Sequence, residues 1–563
     1  MARKEEAPPG QVGGTGHHVT RPRVLVIGLD GLESGFAERL MAAGEMPALA
    51  TLRRQSLRFA LDHGSAQRTG LAWEHVASGL SPEAGRRWGA VEFDPSSYTA
   101  WQEGARFTPW WARLRRNVVV FDTPYVDLRR ARTTRGIVGW GAHDPGIHTA
   151  AAPADLRVEF EQRFGAYPAT PWLYGTPWAS PARTQAMGTA LARALDVRTV
   201  AARWLACERL RDWELFMAVT GEAHSAVEGL WHGVDPDHPL HTHPSGPAAA
   251  QAMLEVHRAL DRLVAELVEA AGNATIVAFA MGGMGPNHSD IQSMVLLPEL
   301  LHRHVFGTAL LHPPAAWTST PSAVPVLGEE EDWHLASDAW LPWPSHGQQA
   351  VESGVSRSVA RALPRPVRAL LKGARAAVSD WRWHGARPGR WDVQWQPAMC
   401  YQPHWPNMPA FALPSFYDGR VRINLVGREA RGVVTAERYE VTCGELERLL
   451  LECHNPRTGE PAVEAIERGT TRDAFALGRS EADLTVVWRG VAVALEHPHL
   501  GLIGPVPLRR TGGHTGRYGL AYVRVPGVAA ADGGVRSAFD VVPTLTALLG
   551  ESPSGRTSGR PLL

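Results

Sequence analysis

Val24-Leu25-Val26-Ile27-Gly28-Leu29-Asp30-Gly31 is six apolar residues followed by an acid on a glycine turn. A short apolar run bounded by a turn signal reads as a strand buried on both faces. Runs of the same kind recur at 118–121, 215–219 and 275–280, with helical patterns between them. This alternation predicts an α/β fold: a mostly parallel sheet sandwiched by helices. The clearest unit is the last. Leu254, Leu260, Leu263, Val264, Leu267 and Val268 recur at helical spacing, Gly272-Asn273 ends the helix, and Thr275-Ile276-Val277-Ala278-Phe279 follows as a strand. Crossovers of this kind gather functional loops at the carboxyl ends of the strands. Asp30 and Met281 are both expected on that edge.

The chain of 563 residues exceeds one ordinary hydrophobic core, so a large domain with a sizeable insertion, or two domains, is expected. Lys plus Arg and Asp plus Glu number 57 each, which leaves no basic excess for nucleic acid as a partner. Cys207, Cys400, Cys443 and Cys453 are far apart and form no C-x-x-C pair, so a reducing, cytoplasmic setting is expected, without a disulfide framework. No run reaches the roughly 18 to 20 apolar residues of a membrane span.

Four segments follow from texture. Residues 1–20, rich in Pro and Gly, read as a flexible tail; 21–300 as the α/β core; 301–480 as an insertion and cap; and 481–563 as the return to the core. The insertion opens with Pro- and Trp-rich sequence and the acidic patch Glu329-Glu330-Glu331-Asp332. A basic stretch from Arg357 to Arg375 follows and reads as a solvated face, with a membrane or anion contact as the alternative. Order returns with Val421-Arg422-Ile423-Asn424-Leu425 and a helix expected from Cys443 to Cys453.

Several separated strings now bear on function. They are Ile27-Gly28-Leu29-Asp30-Gly31, the Thr69 loop ending Ser78-Gly79-Leu80-Ser81-Pro82, Arg422-Ile423-Asn424-Leu425, Gly427-Arg428-Glu429, Gly513-His514 and the closing 539–550 segment. In that order they resemble the alkaline phosphatase superfamily, and most closely its type I phosphodiesterase/nucleotide pyrophosphatase branch. The resemblance implies an alkaline-phosphatase-like fold with an inserted cap subdomain. It also implies a metal-dependent hydrolase or group transferase acting on a phosphate, phosphodiester, phosphonate or sulfate ester of an anionic small molecule.

Carried onto this sequence, the resemblance makes Thr69 the nucleophile and Asp30 a metal ligand beside it. Glu222, His224, Glu228 and His514 are candidate ligands of a second site, with His232 and His238 behind them. Carboxylate and imidazole donors suit zinc or manganese. Arg422, Arg428, Trp73 and His143 (followed by Asp144) are candidates for holding substrate, the arginines through bidentate contacts to phosphate oxygens. Each has a plainer reading: turn residues, loop histidines, ion pairs within the cap and packing aromatics.

One departure from the family pattern limits these expectations. Where the family ends a strand with Ser-Asp-His-Gly-Met, this chain reads Ala280-Met281-Gly282-Gly283-Met284. Neither Met281 nor Gly282 can ligate a hard cation. Three outcomes stay open: Asn287, His288 or Asp290 replaces the lost ligands; a single metal suffices; or a degenerate member binds an anionic ligand or performs different chemistry in the inherited cleft.

Overall fold

The computed structural model describes residues 21–143, 149–175, 180–328, 389–469, 473–552 and 557–563, with Trp333, Ser337 and Leu341. The tail at 1–20, the acidic patch at 329–332, the basic stretch from Arg357 to Arg375, and Asp144 lie outside them.

The expected sheet is present. Its nine strands run in the order Ala531–Ser537, Leu57–Asp62, Tyr518–Arg524, Thr275–Ala280, Val24–Leu29, Leu215–Thr220, Val118–Phe121, Thr134–Val138, Ala150–Ala152. Val24–Leu29 sits at the centre, parallel to Leu215–Thr220 on one side and to Thr275–Ala280 on the other. Only Tyr518–Arg524 and Ala150–Ala152 run antiparallel to their neighbours.

The apolar run is continuous because the sheet is covered on both faces. Leu25, Ile27 and Leu29 join the cluster under the long helices Pro181–Trp204 and Gly246–Ala271, whereas Val24 and Val26 join the opposite cluster with Trp73, Met281 and Leu545. Each of these side chains contributes about 1.5 to 3 kcal/mol by leaving water. The two long helices approach closely at Gly188, where a Cβ would lie 2.3 Å from that of Ala252. The second helix stops at Gly272, whose φ is +57°.

A smaller antiparallel sheet orders Ala410–Leu413, Gly419–Ile423, Leu484–Trp488 and Val463–Arg468, and the helix Tyr439–Leu451 packs near it. Leu484–Trp488, expected from sequence to resume the core, pairs inside this cap sheet. The reason is visible in its burial: Leu484, Val486 and Trp488 are buried while Thr485 and Val487 are not, the signature of a strand covered on one face only. The chain rejoins the large sheet at Tyr518–Arg524.

A candidate active site at the strand ends

Asp30 leaves the central strand at its carboxyl end and is buried. Gly31 follows with φ +76°, and a Cβ there would lie 2.2 Å from the His224 Cα. Only glycine permits this turn to press against the helix Glu222–Leu230. That contact brings His224 Nδ1 within 2.9 Å of Asp30 Oδ2. The same helix is touched from another side by the strand Gly512–Gly516: a Cβ on Gly512 would lie 2.4 Å from the Val227 carbonyl oxygen. His514 is thereby set edge-on to His224, with ring centroids 4.5 Å apart.

His143 stacks on His224 at 3.8 Å between centroids and places Nε2 3.3 Å from Glu228 Oε2. Glu228 in turn lies 3.5 Å from His224 Nε2 and is paired with the Arg510 guanidinium. Burial opposes the charge on Asp30, but His224, then His143 and His514, outweigh it and hold the carboxyl at about 2. Burial likewise works against His224, yet Asp30 and Glu228 raise it to about 10. For Glu228, burial is overcome by Arg510 and then His143, leaving it well below the usual carboxylate range. Burial depresses His514 to about 3, so it stands neutral.

Asp30, His143 and His224 each offer a donor atom within 4.8 Å of the others. This carboxylate and two imidazoles fit one divalent cation. Among the described residues no second ligand group accompanies it. Met281 packs in the core, and Gly282 contributes only a bare backbone to the cavity wall. The three candidate replacements are engaged elsewhere. Asp290 is clamped by Arg509 at 2.8 and 3.2 Å, His288 Nδ1 is 3.1 Å from the Trp488 carbonyl oxygen, and Asn287 bonds to the Gly512 carbonyl and to the Ser289 and Asp290 amides.

Other sequence candidates take structural positions. Glu222 begins the helix but turns away from His224: its Oε1 accepts from Arg198 Nε at 2.9 Å and from the Tyr167 hydroxyl at 3.1 Å. Arg198, fully buried, also pairs with Asp122 at 2.8 Å. Glu222 thus belongs to a buried ion-pair cluster with Arg198 and Asp122, where the carboxylates compensate the desolvation of the guanidinium. Arg422 and Arg428 are corrected in the same way. Arg422 donates to Glu429 at 2.7 Å, and Arg428 to Glu429 and to both oxygens of Asp483, inside the cap. Trp73 is 2% exposed and packs under Gly28 and beside Phe279, so its face is core surface even though it borders the cavity. His232 and His238 stand apart from Asp30. His232 Nε2 contacts Ser245 Oγ at 3.1 Å, and His238 Nδ1 accepts from the Leu240 amide.

Thr69 ends the turn Gly64–Thr69, and its hydroxyl is used locally, donating to the Ala66 carbonyl at 2.7 Å and accepting from the Leu71 amide at 3.2 Å. It lines a cavity between core and cap with Arg68, Trp88, Asp418, Arg420 and Glu467. Its neighbour Gly70 lines a narrower cavity with Asp30, His224 and His514, under Tyr417 of the cap. Arg68 ties the turn to the cap through Asp418 and Glu467. Burial lifts Asp418 to about 6 in spite of Arg68.

The sequence reading missed Arg510, Gln67 and the Asp122–Arg198 pair. Asp122 carried the same signal as Asp30, an acid directly after a buried strand. Arg510 lay four residues before His514. Gln67 gave no signal; its amide reaches the carbonyls of Gly283, His514 and Gly516, joining the Thr69 turn to the His514 strand.

No curated protein sequence matches the chain. Among solved structures, phosphonoacetate hydrolase from Sinorhizobium meliloti 1021 in complex with phosphonoformate is 13% identical, with 94% of this chain and 95% of that chain covered and a TM-score of 0.45. Murine ectonucleotide pyrophosphatase/phosphodiesterase 5 is 10% identical, with 95% and 97% covered and a TM-score of 0.43. The family model described as type I phosphodiesterase/nucleotide pyrophosphatase matches residues 24–334, over half of the chain and spanning Asp30, Thr69, His143, His224 and Glu228. The chain belongs to the type I phosphodiesterase/nucleotide pyrophosphatase family.

Proposed function

We propose that this enzyme cleaves or transfers the phosphoryl-type group of a small anionic ester, a phosphodiester or phosphonate foremost, using one divalent cation and Thr69 as nucleophile. The observation that supports this most is the convergence of Asp30, His143 and His224 at the carboxyl edge of the sheet. Gly70, next to Thr69, lines the same cavity as Asp30 and His224. When bound, a zinc or manganese ion supplies positive charge to a substrate oxygen and lowers the pKa of a nearby hydroxyl. The chain's own residues do the rest. Asp30, held anionic chiefly by His224, keeps a fixed negative charge for the cation. Glu228 fixes the rings of His143 and His224 from their far nitrogens, as an outer carboxylate does for metal-binding histidines. Thr69 must exchange its Ala66 acceptor for the reacting centre, a rotation about one side-chain bond. Among the described residues no helix is long and apolar enough to cross a membrane.

The test is hydrolysis of bis(4-nitrophenyl) phosphate by protein loaded with zinc or manganese, with metal content measured on the same samples. Thr69→Ala is expected to lower the rate at least about a hundredfold with bound metal unchanged, since removing a nucleophile removes a whole route. Asp30→Asn is expected to lose both metal and rate. Full activity in Thr69→Ala would sink the nucleophile assignment; an unchanged metal content in Asp30→Asn would sink the cation site.

A further inference from the structure

The narrow cavity beside Asp30 has a wall that the metal-ligand chemistry does not use. His63, at the end of the strand Leu57–Asp62, lines it together with Asp30, Gly70, His224, Gly282 and His514. The ring is 3% exposed, and its Nε2 lies 3.1 Å from Nδ1 of His75, on the helix Ala72–Ser78 that follows Thr69. Phe539 packs against both rings. The two outer nitrogens, His63 Nδ1 and His75 Nε2, are buried and have no hydrogen-bond partner.

One proton lies between the two rings, and there are two ways to place it. If His63 donates to His75, the remaining N–H is on His75 Nε2, buried in a ring that does not line the cavity. If His75 donates to His63, the remaining N–H is on His63 Nδ1, in the ring that does. An orphaned buried donor is rarer and costlier than an orphaned acceptor. The second arrangement leaves only an acceptor without a partner away from the cavity and puts the donor on the ring that lines it. Burial also depresses both imidazoles, His63 to about 4, so the pair is uncharged at neutral pH.

We propose that His63 Nδ1–H is a neutral hydrogen-bond donor to an anionic oxygen of the bound phosphoryl or phosphonyl group, with His75 fixing its tautomer. This rests on the function proposed above and gives the site a donor on the wall where Gly282 stands in place of a metal ligand. No proton leaves the pair: the donor stabilises charge without changing state, as other buried neutral imidazoles do.

The experiment uses full-length protein with ¹⁵N-labelled histidine and inorganic phosphate as probe. Long-range ¹H–¹⁵N spectra, with His63 assigned by its loss in His63→Gln, are expected to show the proton on Nδ1 and to shift it on adding phosphate. His63→Phe is expected to weaken phosphate binding about tenfold to a hundredfold, the range for a hydrogen bond to a charged partner, and His63→Asn, which keeps a donor at the Nδ1 position, to recover most of it. A proton on Nε2, or a His63 signal indifferent to phosphate, overturns the proposal without a binding measurement on any variant. If phosphate moves the His63 signal but no ester is cleaved, the proposed function fails and the donor stands. If esters are cleaved and His63→Phe binds phosphate as the wild type does, the donor fails and the function stands.

Discussion

Replacing Glu222 by Gln separates two roles that the sequence could not. A metal ligand and a buried ion-pair partner are both acids at the start of a helix beside a strand end. In the structure Glu222 Oε1 takes hydrogen bonds from Arg198 and Tyr167, and Arg198 keeps Asp122 as its other partner. Gln retains an acceptor for both donors and removes one of the two charges facing the guanidinium. The loss is therefore smaller than the roughly 3 to 5 kcal/mol for breaking a buried pair outright, and is set by one charge-assisted hydrogen bond becoming neutral, about 2 kcal/mol. With an unfolding entropy of about 2.1 cal/mol/K per residue, a cooperative unit of about 560 residues would move its Tm by about 2 °C. A smaller cooperative unit would move further. The assay is differential scanning calorimetry with metal content measured on the same samples, and the expected result is a lowered Tm with cation binding unchanged. A Glu222→Gln protein that keeps its Tm and loses its metal would refute the assignment of Glu222 to the ion-pair cluster.

Two further outcomes follow from the same reasoning. Arg422→Met should destabilise the cap by about 2 to 3 kcal/mol, because Glu429 loses one buried charged donor and keeps Arg428, while KM of the folded fraction is unchanged; a raised KM with native stability would return Arg422 to substrate binding. His257, buried against Phe36 and bonded to the Met253 carbonyl, is depressed to about 4 by burial. Its unfolded form binds a proton from about pH 6.5 downward, so its contribution is present above that pH and is lost as the pH falls toward 4, up to about 3 kcal/mol. Urea midpoints of wild type and His257→Phe measured between pH 7 and 4 should differ in slope across that window, and parallel curves would contradict it.

The sheet was legible because burial on both faces requires uninterrupted apolar runs, and residues 24–29, 118–121, 215–219 and 275–280 have them. The long helix Gly246–Ala271 was legible through its apolar spacing and its glycine stop. Leu484–Trp488 was not, since an apolar run says that a strand is buried but not in which sheet. At the candidate site, Asp30 stood out because it lies directly at a strand end, and His224 because it opens the helix that follows one. The partners of Arg422 and Arg428 were not legible, because a guanidinium that grips a substrate and one that grips Glu429 or Asp483 look the same in sequence.

By itself the sequence determined the sheet, the family resemblance, the place of Asp30 at the carboxyl edge of the central strand and the replacement of the Asp-His pair by Met281-Gly282. These are set by local composition and chain order. Tertiary structure decided the partners. It turned Glu222 toward Arg198, brought His143 from 81 residues away onto His224, tied Asp290 to Arg509, and set His75 behind His63 on the cavity wall. Which charge meets which depends on side-chain direction and on backbones that meet closely, as at Gly31 and Gly512, and neither is written in the spacing of residues along the chain.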